Sequence, residues 1–272
     1  MSVNQVAYSA PTVLAILAAG AAAGFINAIV GSGTLISFPT LLGLGFAEKA
    51  ANIANGTGLV AGSLSAVAAQ RPELVGQQRR LFALGPASLL GGATGAVLLL
   101  TLPTSVFKRV VPFLILFGVA LVAAGPRVNR WTRNRVEKKS EKAEKKIESF
   151  AISGERIPWA LLIGIFVAGV YGGYFGAGQG IILMGLLGIG IDDSMARLNA
   201  TKNVLSALVN GVAAVVFIFK GSVLWPLALL VGAGSIVGGQ IGARLGRRIP
   251  PNVLRGFIVV IGLTAALRLL VS

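Results

Sequence analysis

Cysteine and histidine are both absent from the 272 residues. Without cysteine there is no disulfide framework and no thiol nucleophile, and without histidine the usual zinc ligand sets and the commonest proton shuttle are missing. Acidic residues are scarce as well, nine Asp and Glu against 24 Lys and Arg. Most of the side chains from which catalytic and metal sites are built are therefore lacking, so no enzyme, metal site or cofactor is expected. Lys and Arg do not occur before Lys49. The first apolar run, residues 11–29, thus has no basic leader of the secretory kind and reads as a retained helix.

Apolar residues are what the chain has in excess. They make up 55% of it, with a mean hydropathy of +0.82, above the roughly 45–50% of soluble domains. A multi-pass protein of the cell membrane is expected, with membrane lipid as its surroundings. The 37 glycines suit transmembrane helices, where small residues let backbones approach closely. A net charge of +15 would suggest nucleic acid in a soluble protein. Here most of it reads as topology, and nucleic acid is not an expected partner.

Ten apolar segments follow one another, at roughly 11–30, 34–46, 53–70, 81–101, 106–125, 158–176, 179–191, 198–219, 223–245 and 252–271. Eight are long enough to span. The segments 34–46 and 179–191 give about 20 Å of helix at 1.5 Å per residue, short of the roughly 30 Å hydrocarbon core. Each follows a glycine-rich stretch, "NAIVGSGTLIS" (27–37) and "YGGYFGAGQG" (171–180). These stretches belong to an internal repeat. An offset of 145 residues sets Gly24 on Gly169, Gly31 on Gly176, Gly33 on Gly178, and "LLGLG" (41–45) on "LLGIG" (186–190). An offset of 144 sets Asn55 and Thr57 on Asn199 and Thr201, and one of 147 sets "GGATGA" (91–96) on "GGQIGA" (238–243) and Pro103 on Pro250.

Between the halves, residues 126–158 carry ten of the basic and five of the acidic residues. The positive-inside rule makes this segment a cytoplasmic connector, part helical from its Glu and Lys spacing. With the connector inside and all ten segments crossing, 18 basic residues fall inside and four outside, namely Lys49, Lys108, Arg109 and Lys220. Five segments per half is an odd number, so the halves would be oppositely oriented. The expected fold is an all-α polytopic membrane protein of two inverted repeats, residues 11–125 and 158–272, joined by a charged linker at 126–157, with short or broken helices at the glycine-rich stretches.

Inverted-repeat carriers interrupt helices near the midplane so that freed backbone groups can hold a substrate, and a helix N-terminus facing such a break suits an anion. The candidate site residues are Gly31, Ser32, Gly33 and Thr34 at the first break, and Gly176, Gly178 and Gln179 at the second. The third segment of each half adds amides and hydroxyls, Asn55 and Thr57 in "ANGTG" (54–58), and Asn199, Thr201, Lys202 and Asn203 in "NATKN" (199–203). The plainer alternatives are helix N-caps for the latter and close helix crossing for the glycines. Lys202 has Gly58 as its counterpart. A lysine at a helix centre costs about 2.5–3.5 kcal/mol on insertion scales and commonly marks a substrate path, the alternative being a side chain that snorkels to the interface. One intramembrane cation, several donors and no embedded carboxylate cluster point to a small anion as substrate. Asp192 and Asp193 sit at segment ends, as solvated turn residues or as relays for a coupling proton. A cation or proton carrier, and a non-transporting scaffold packed through "GGATG" and "GGQIG", are the alternatives from other classes.

The paired G-x-G breaks, the "GTG" and "ATKNVLSALVN" stretches, "FKGSVLW" and "GSIVGGQIGARLGRRIP" resemble the TauE/SafE family of sulfite exporters over about 20–125 and 158–271. That family's second half typically reads Ala/Gly-Thr-Ser/Thr-Lys/Arg ahead of a Val-Leu-Asn run. Here Lys202 follows Thr201 directly, and the first break has Ser32 where the family is richer in glycine. The resemblance implies export of sulfite, or of a related sulfur oxyanion or organosulfonate, from the cytoplasm.

Overall fold

The computed structural model describes residues 8–144, 158–220, 223–245 and 251–271. Among these residues every regular element is a helix: α1 (Ala10–Ile29), α2 (Thr34–Gly43), α3 (Glu48–Ala69), α4 (Arg71–Leu74), α5 (Gln78–Thr101), α6 (Thr104–Glu144), α7 (Trp159–Tyr174), α8 (Gln179–Gly190), α9 (Met195–Phe219), α10 (Trp225–Leu245) and α11 (Pro251–Val271). Five are long and apolar enough to cross a membrane: α1, α5, residues 104–135 of α6, α9 and α10. At 1.5 Å per residue the ten residues of α2 reach only about 15 Å.

Three boundaries differ from the hydropathy reading. Helix α3 starts at Glu48 and α9 at Met195, each ahead of its apolar run. Glu48 favours the positive end of its helix, and the Ser194 hydroxyl caps α9 by accepting from the Arg197 N–H. "ANGTG" and "NATKN" are therefore helix interiors, not N-caps. Helix α6 runs without a break through Pro126 to Glu144, so the expected linker begins inside a helix. Linker residues 145–157, together with Arg247, Arg248 and Pro250, lie outside the described residues.

Contacts between helix ends show which of them share a face of the bundle. On one face Tyr8 packs on Phe46 with ring centroids 6.2 Å apart, Glu48 pairs with Lys108, and Lys49 Nζ donates to the carbonyls of Leu100 and Leu102. The start of α1, the passage from α2 to α3, and the passage from α5 to α6 therefore meet there. On the other face, which also holds the start of α7, Leu161 packs against Gly190, Arg80 pairs with Asp193, and Gln77 accepts from Thr201. Each short helix thus brings the chain back to the face its predecessor left, α2 to the first face and α8 to the linker face.

Glycine sets the tightest packing. Helix α1 lies along α10 with Gly24 on the backbone of Ser235 and Gly238 on that of Ala21, while α7 lies along α5 with Gly173 on the backbone of Gly92 and Gly95 on that of Val170. A Cβ at any of these positions would collide with a carbonyl oxygen. Around these couples Phe38, Phe107, Phe175 and Phe217 fill the centre of the bundle.

On the linker face Asp193 holds α5 to the start of α9. It accepts from Arg80 at 2.7 Å, Arg197 at 2.9 Å and the Ser194 N–H at 2.8 Å. Burial pushes its carboxyl up, but the Arg197 and Arg80 guanidiniums and the Ser194 amide outweigh this and hold it below the usual carboxylate range. A lowered carboxyl stabilises the fold above its unfolded pKa and loses that contribution as pH falls through the folded value. Asp193→Asn is expected to lower the thermal stability of the purified protein at pH 7. The gap to the parent should close as pH is lowered below the ordinary carboxylate range; an equal gap at all pH values would show that the charge is not what holds this corner.

Candidate functional site

Helix α1 stops at Ile29 and α2 begins at Thr34, and α7 stops at Tyr174 with α8 beginning at Gln179. Gly31 has φ +80° and Gly178, which precedes α8, has φ +81°, left-handed backbone that glycine adopts without strain. The two turns meet. The Gly180 N–H donates to the Gly31 carbonyl at 3.0 Å, and a Cβ on either residue would strike the backbone of the other.

Each turn leaves carbonyls at the end of one helix and N–H groups at the start of the next without helical partners. The carbonyl side is filled here. Asn199 and Asn203 each donate to the Ala28 carbonyl at 3.3 Å, and Lys202 Nζ sits 3.5 Å from the Asn27 carbonyl, against the negative end of α1. Asn52 does the same for α7, donating to the Tyr174 carbonyl at 3.0 Å. The N–H side is not filled. The amides of Ser32, Gly33 and Thr34 have no acceptor among the described residues. Ser32 Oγ and Gln179 Nε2 are unpartnered although their residues are only 1% and 4% exposed. Buried polar groups normally find partners, so these donors mark the first turn and the start of α8 as the candidate site. Asn55, 1% exposed, has both side-chain polar atoms unpartnered.

Two cavities flank the meeting point of the turns. The first, of about 20 Å³, is lined by Thr34, Gly176, Gln179 and Gly180 from the turns and by the amides of Asn27, Asn52 and Asn210. It has room for about one water. The second, of about 480 Å³, lies towards the linker face between the ends of α1, α3 and α10, the starts of α8, α9 and α11 and the middle of α6, and its described polar lining is Gln70, Asn129, Asn199, Lys202 and Arg255. Among the described residues no acidic side chain lines either cavity. Residues 27–31 and 180–181 form the wall between them, and Lys202 reaches across it to Asn27.

Of the residues read from the sequence, Gly31, Thr34, Gly176 and Gln179 surround the small cavity, while Asn199 and Lys202 line the large one. Ser32 is buried at the first turn and Gly33 lies against the Ala23 carbonyl. Gly178 abuts Leu121 and Gly118. Asn203 is shared between the Ala28 carbonyl and Gln70. The hydroxyls of Thr57 and Thr201 bond back to the carbonyls four residues earlier, those of Ile53 and Arg197, and Thr201 also donates to Gln77. Neither threonine lines a cavity described above. Asn27, Asn52, Ser206 and Asn210 line the small cavity without having been singled out by the sequence; the signal available was an amide or hydroxyl inside an apolar run. Arg255, grouped by sequence with the interior-side charges, is a buried residue of the large cavity.

Short helices that follow two touching turns inside an apolar bundle, with an uncharged cavity on one side of the turns and a cavity lined by Lys202 and Arg255 on the other, are compatible with a membrane carrier. Comparison with known proteins gives the family. The pattern of the family described as "Sulfite exporter TauE/SafE" matches residues 16–269, and the chain belongs to that family. Among curated proteins it is 28% identical over 248 residues to a "Probable membrane transporter protein" of Haemophilus influenzae, covering 89% of this chain and 88% of the relative. It is likewise 28% identical over 254 residues, covering 91% and 88%, to "Probable membrane transporter protein ORF9" of a Sinorhizobium species. "Probable membrane transporter protein YfcA" of Escherichia coli K12 is 25% identical over 261 residues, covering 91% and 86%. No solved structure matches the chain. The protein is a multi-pass membrane transporter.

Proposed function

We propose that the protein exports a small sulfur oxyanion, sulfite or an organosulfonate, bound between the two helix breaks. The observation that carries this reading is the set of unpartnered buried donors at the touching turns: the Ser32–Thr34 amides, Ser32 Oγ and Gln179 Nε2. Donors without acceptors, at the positive end of a half-helix and with no carboxylate nearby, suit an anion and repel a cation. The family's printed description supports the sulfur chemistry. A cavity of about 20 Å³ is too small for sulfite, so binding requires the turns to part. The protein as described is closed around its central site.

The packing supports two inverted repeats, residues 11–125 and 158–272. The first helix of each half, α1 or α7, runs along the helix of the other half's fourth apolar segment, α10 or α5, through equivalent glycines. In this reading the linker, 126–157, is cytoplasmic and both chain ends lie on the opposite side, so the large cavity lies on the cytoplasmic side of the closed central site. A proton is the proposed coupling ion.

The test is flux in proteoliposomes. Sulfite and methanesulfonate are expected to move faster than through protein-free vesicles, and an imposed pH gradient to change the rate, with no movement of sodium or potassium. Cation flux without anion flux would reverse the reading.

A further inference from the structure

We propose that Arg255, with Lys202, forms a second anion-binding site in the large cavity on the linker face, where a small oxyanion is held before or after it passes the helix breaks. Resting on the anion reading above, the site adds a residue and a location to it. Arg255 lies one turn into α11, is 8% exposed, and has no hydrogen-bond partner on Nε. No carboxylate pairs with it among the described residues. Lys202, from α9, is 1% exposed, and its only described hydrogen bond is the 3.5 Å contact to the Asn27 carbonyl.

Both cations line one cavity of about 480 Å³ with the amides of Gln70, Asn129 and Asn199, and no acidic residue among those described is in the lining. That volume takes a sulfite-sized anion together with several waters. Two buried cations with no counter-ion among the described residues are costly unless an anion joins them. A planar guanidinium bonds two oxyanion oxygens side by side, which a lysine cannot do, so Arg255 selects for sulfonate, sulfite or phosphate geometry over halide. Gly125 faces the guanidinium, and a Cβ there would sit 3.4 Å from Nε, so the small residue leaves the fork clear. Lys202 stands at the wall between the cavities, which makes it the inner member of the pair and Arg255 the outer.

The experiment is equilibrium binding of sulfite, methanesulfonate and chloride to purified full-length protein and to Arg255→Gln and Arg255→Lys, with flux measured on the same samples. Arg255→Gln is expected to weaken sulfite and methanesulfonate binding about ten- to a hundredfold, the loss of a charge-assisted hydrogen bond. Arg255→Lys should recover part of that and lose the preference over chloride. A folded Arg255→Gln protein that binds sulfite as the parent does overturns the second site while leaving the central one standing. A parent protein that binds and moves no anion overturns both. Should Arg255→Gln fail to fold, Ala243→Cys in the otherwise native, cysteine-free chain reports on the same cavity. Its thiol is expected to react faster with an anionic than with a cationic methanethiosulfonate and to be shielded by methanesulfonate. Equal rates and no shielding would remove the site.

Discussion

Leucine at position 31 is expected to abolish transport while the protein still inserts and remains monodisperse. Two costs fall on the same atom. Gly31 has φ +80°, where a residue with a Cβ loses about 1–2 kcal/mol. That Cβ would also overlap the Gly180 Cα, which is backbone and has no rotamer to escape into. Relief requires the two turns to separate, which breaks the hydrogen bond from Gly180 to the Gly31 carbonyl and disorders the donors proposed to hold the anion. The α1–α10 contact uses Gly20 and Gly24 and is untouched, so insertion should survive. Gly178→Leu makes a graded comparison. The backbone cost is similar at φ +81°, but the nearest atoms belong to the Leu121 side chain at 3.2 Å and can move, so a partial defect is expected. Native flux through a monodisperse Gly31→Leu protein would return the first turn to simple packing.

Lys202→Ala is expected to weaken anion binding by one to two powers of ten, the equivalent of about 1.5–3 kcal/mol for a charge-assisted hydrogen bond. Lys202→Arg keeps the charge but replaces a compact ammonium by a planar fork, and should bind better than the alanine variant and worse than the parent. Lys202→Glu should be worst, because it sets a carboxylate against the carbonyl end of α1, where Asn27 and Ala28 already concentrate negative potential. The contact with Asn27 offers a competing role, that of capping α1. A pure cap predicts a different pattern: a lower melting temperature in Lys202→Ala and Lys202→Glu, with sulfite affinity unchanged in whatever protein remains folded. Measuring melting and affinity on the same samples separates the two roles.

Most of the helices were legible, because each apolar run between polar turns became one helix. Their starts were less so. Glu48 to Asn52 and Met195 to Arg197 include polar or charged residues that hydropathy places in a loop, yet they are helical, so Asn55 and Lys202 sit about two turns inside their helices. The turns at Gly31 and Gly178 could be found from composition, since glycine clusters inside apolar runs are rare without a backbone reason. Their mutual contact could not, because nothing local ties residue 31 to residue 180. Threonine shows the same limit. Thr34 lines a cavity while Thr57 and Thr201 bond their own helices, and the choice lies in which side of the helix meets a neighbour. Arg255 was read as topology because sequence counts charges at a helix start without knowing which way they turn.

The glycine seams between α1 and α10 and between α5 and α7 also have a mechanical side. Where backbone lies directly on backbone there is no layer of rotamers to slide or repack, so such a contact resists shear and is either keyed or parted. Away from the touching turns α2 and α8 are held differently, by side chains: Phe38 of α2 is edge-on to Phe175 at the end of α7, 5.2 Å between ring centres, and α8 rests on Thr132 and Leu161, contacts that can roll or repack. Stiffness is therefore unevenly spread. The keyed couples act as a fixed frame, and the two half-length helices are short levers within it, with their pivot where Gly31 touches Gly180.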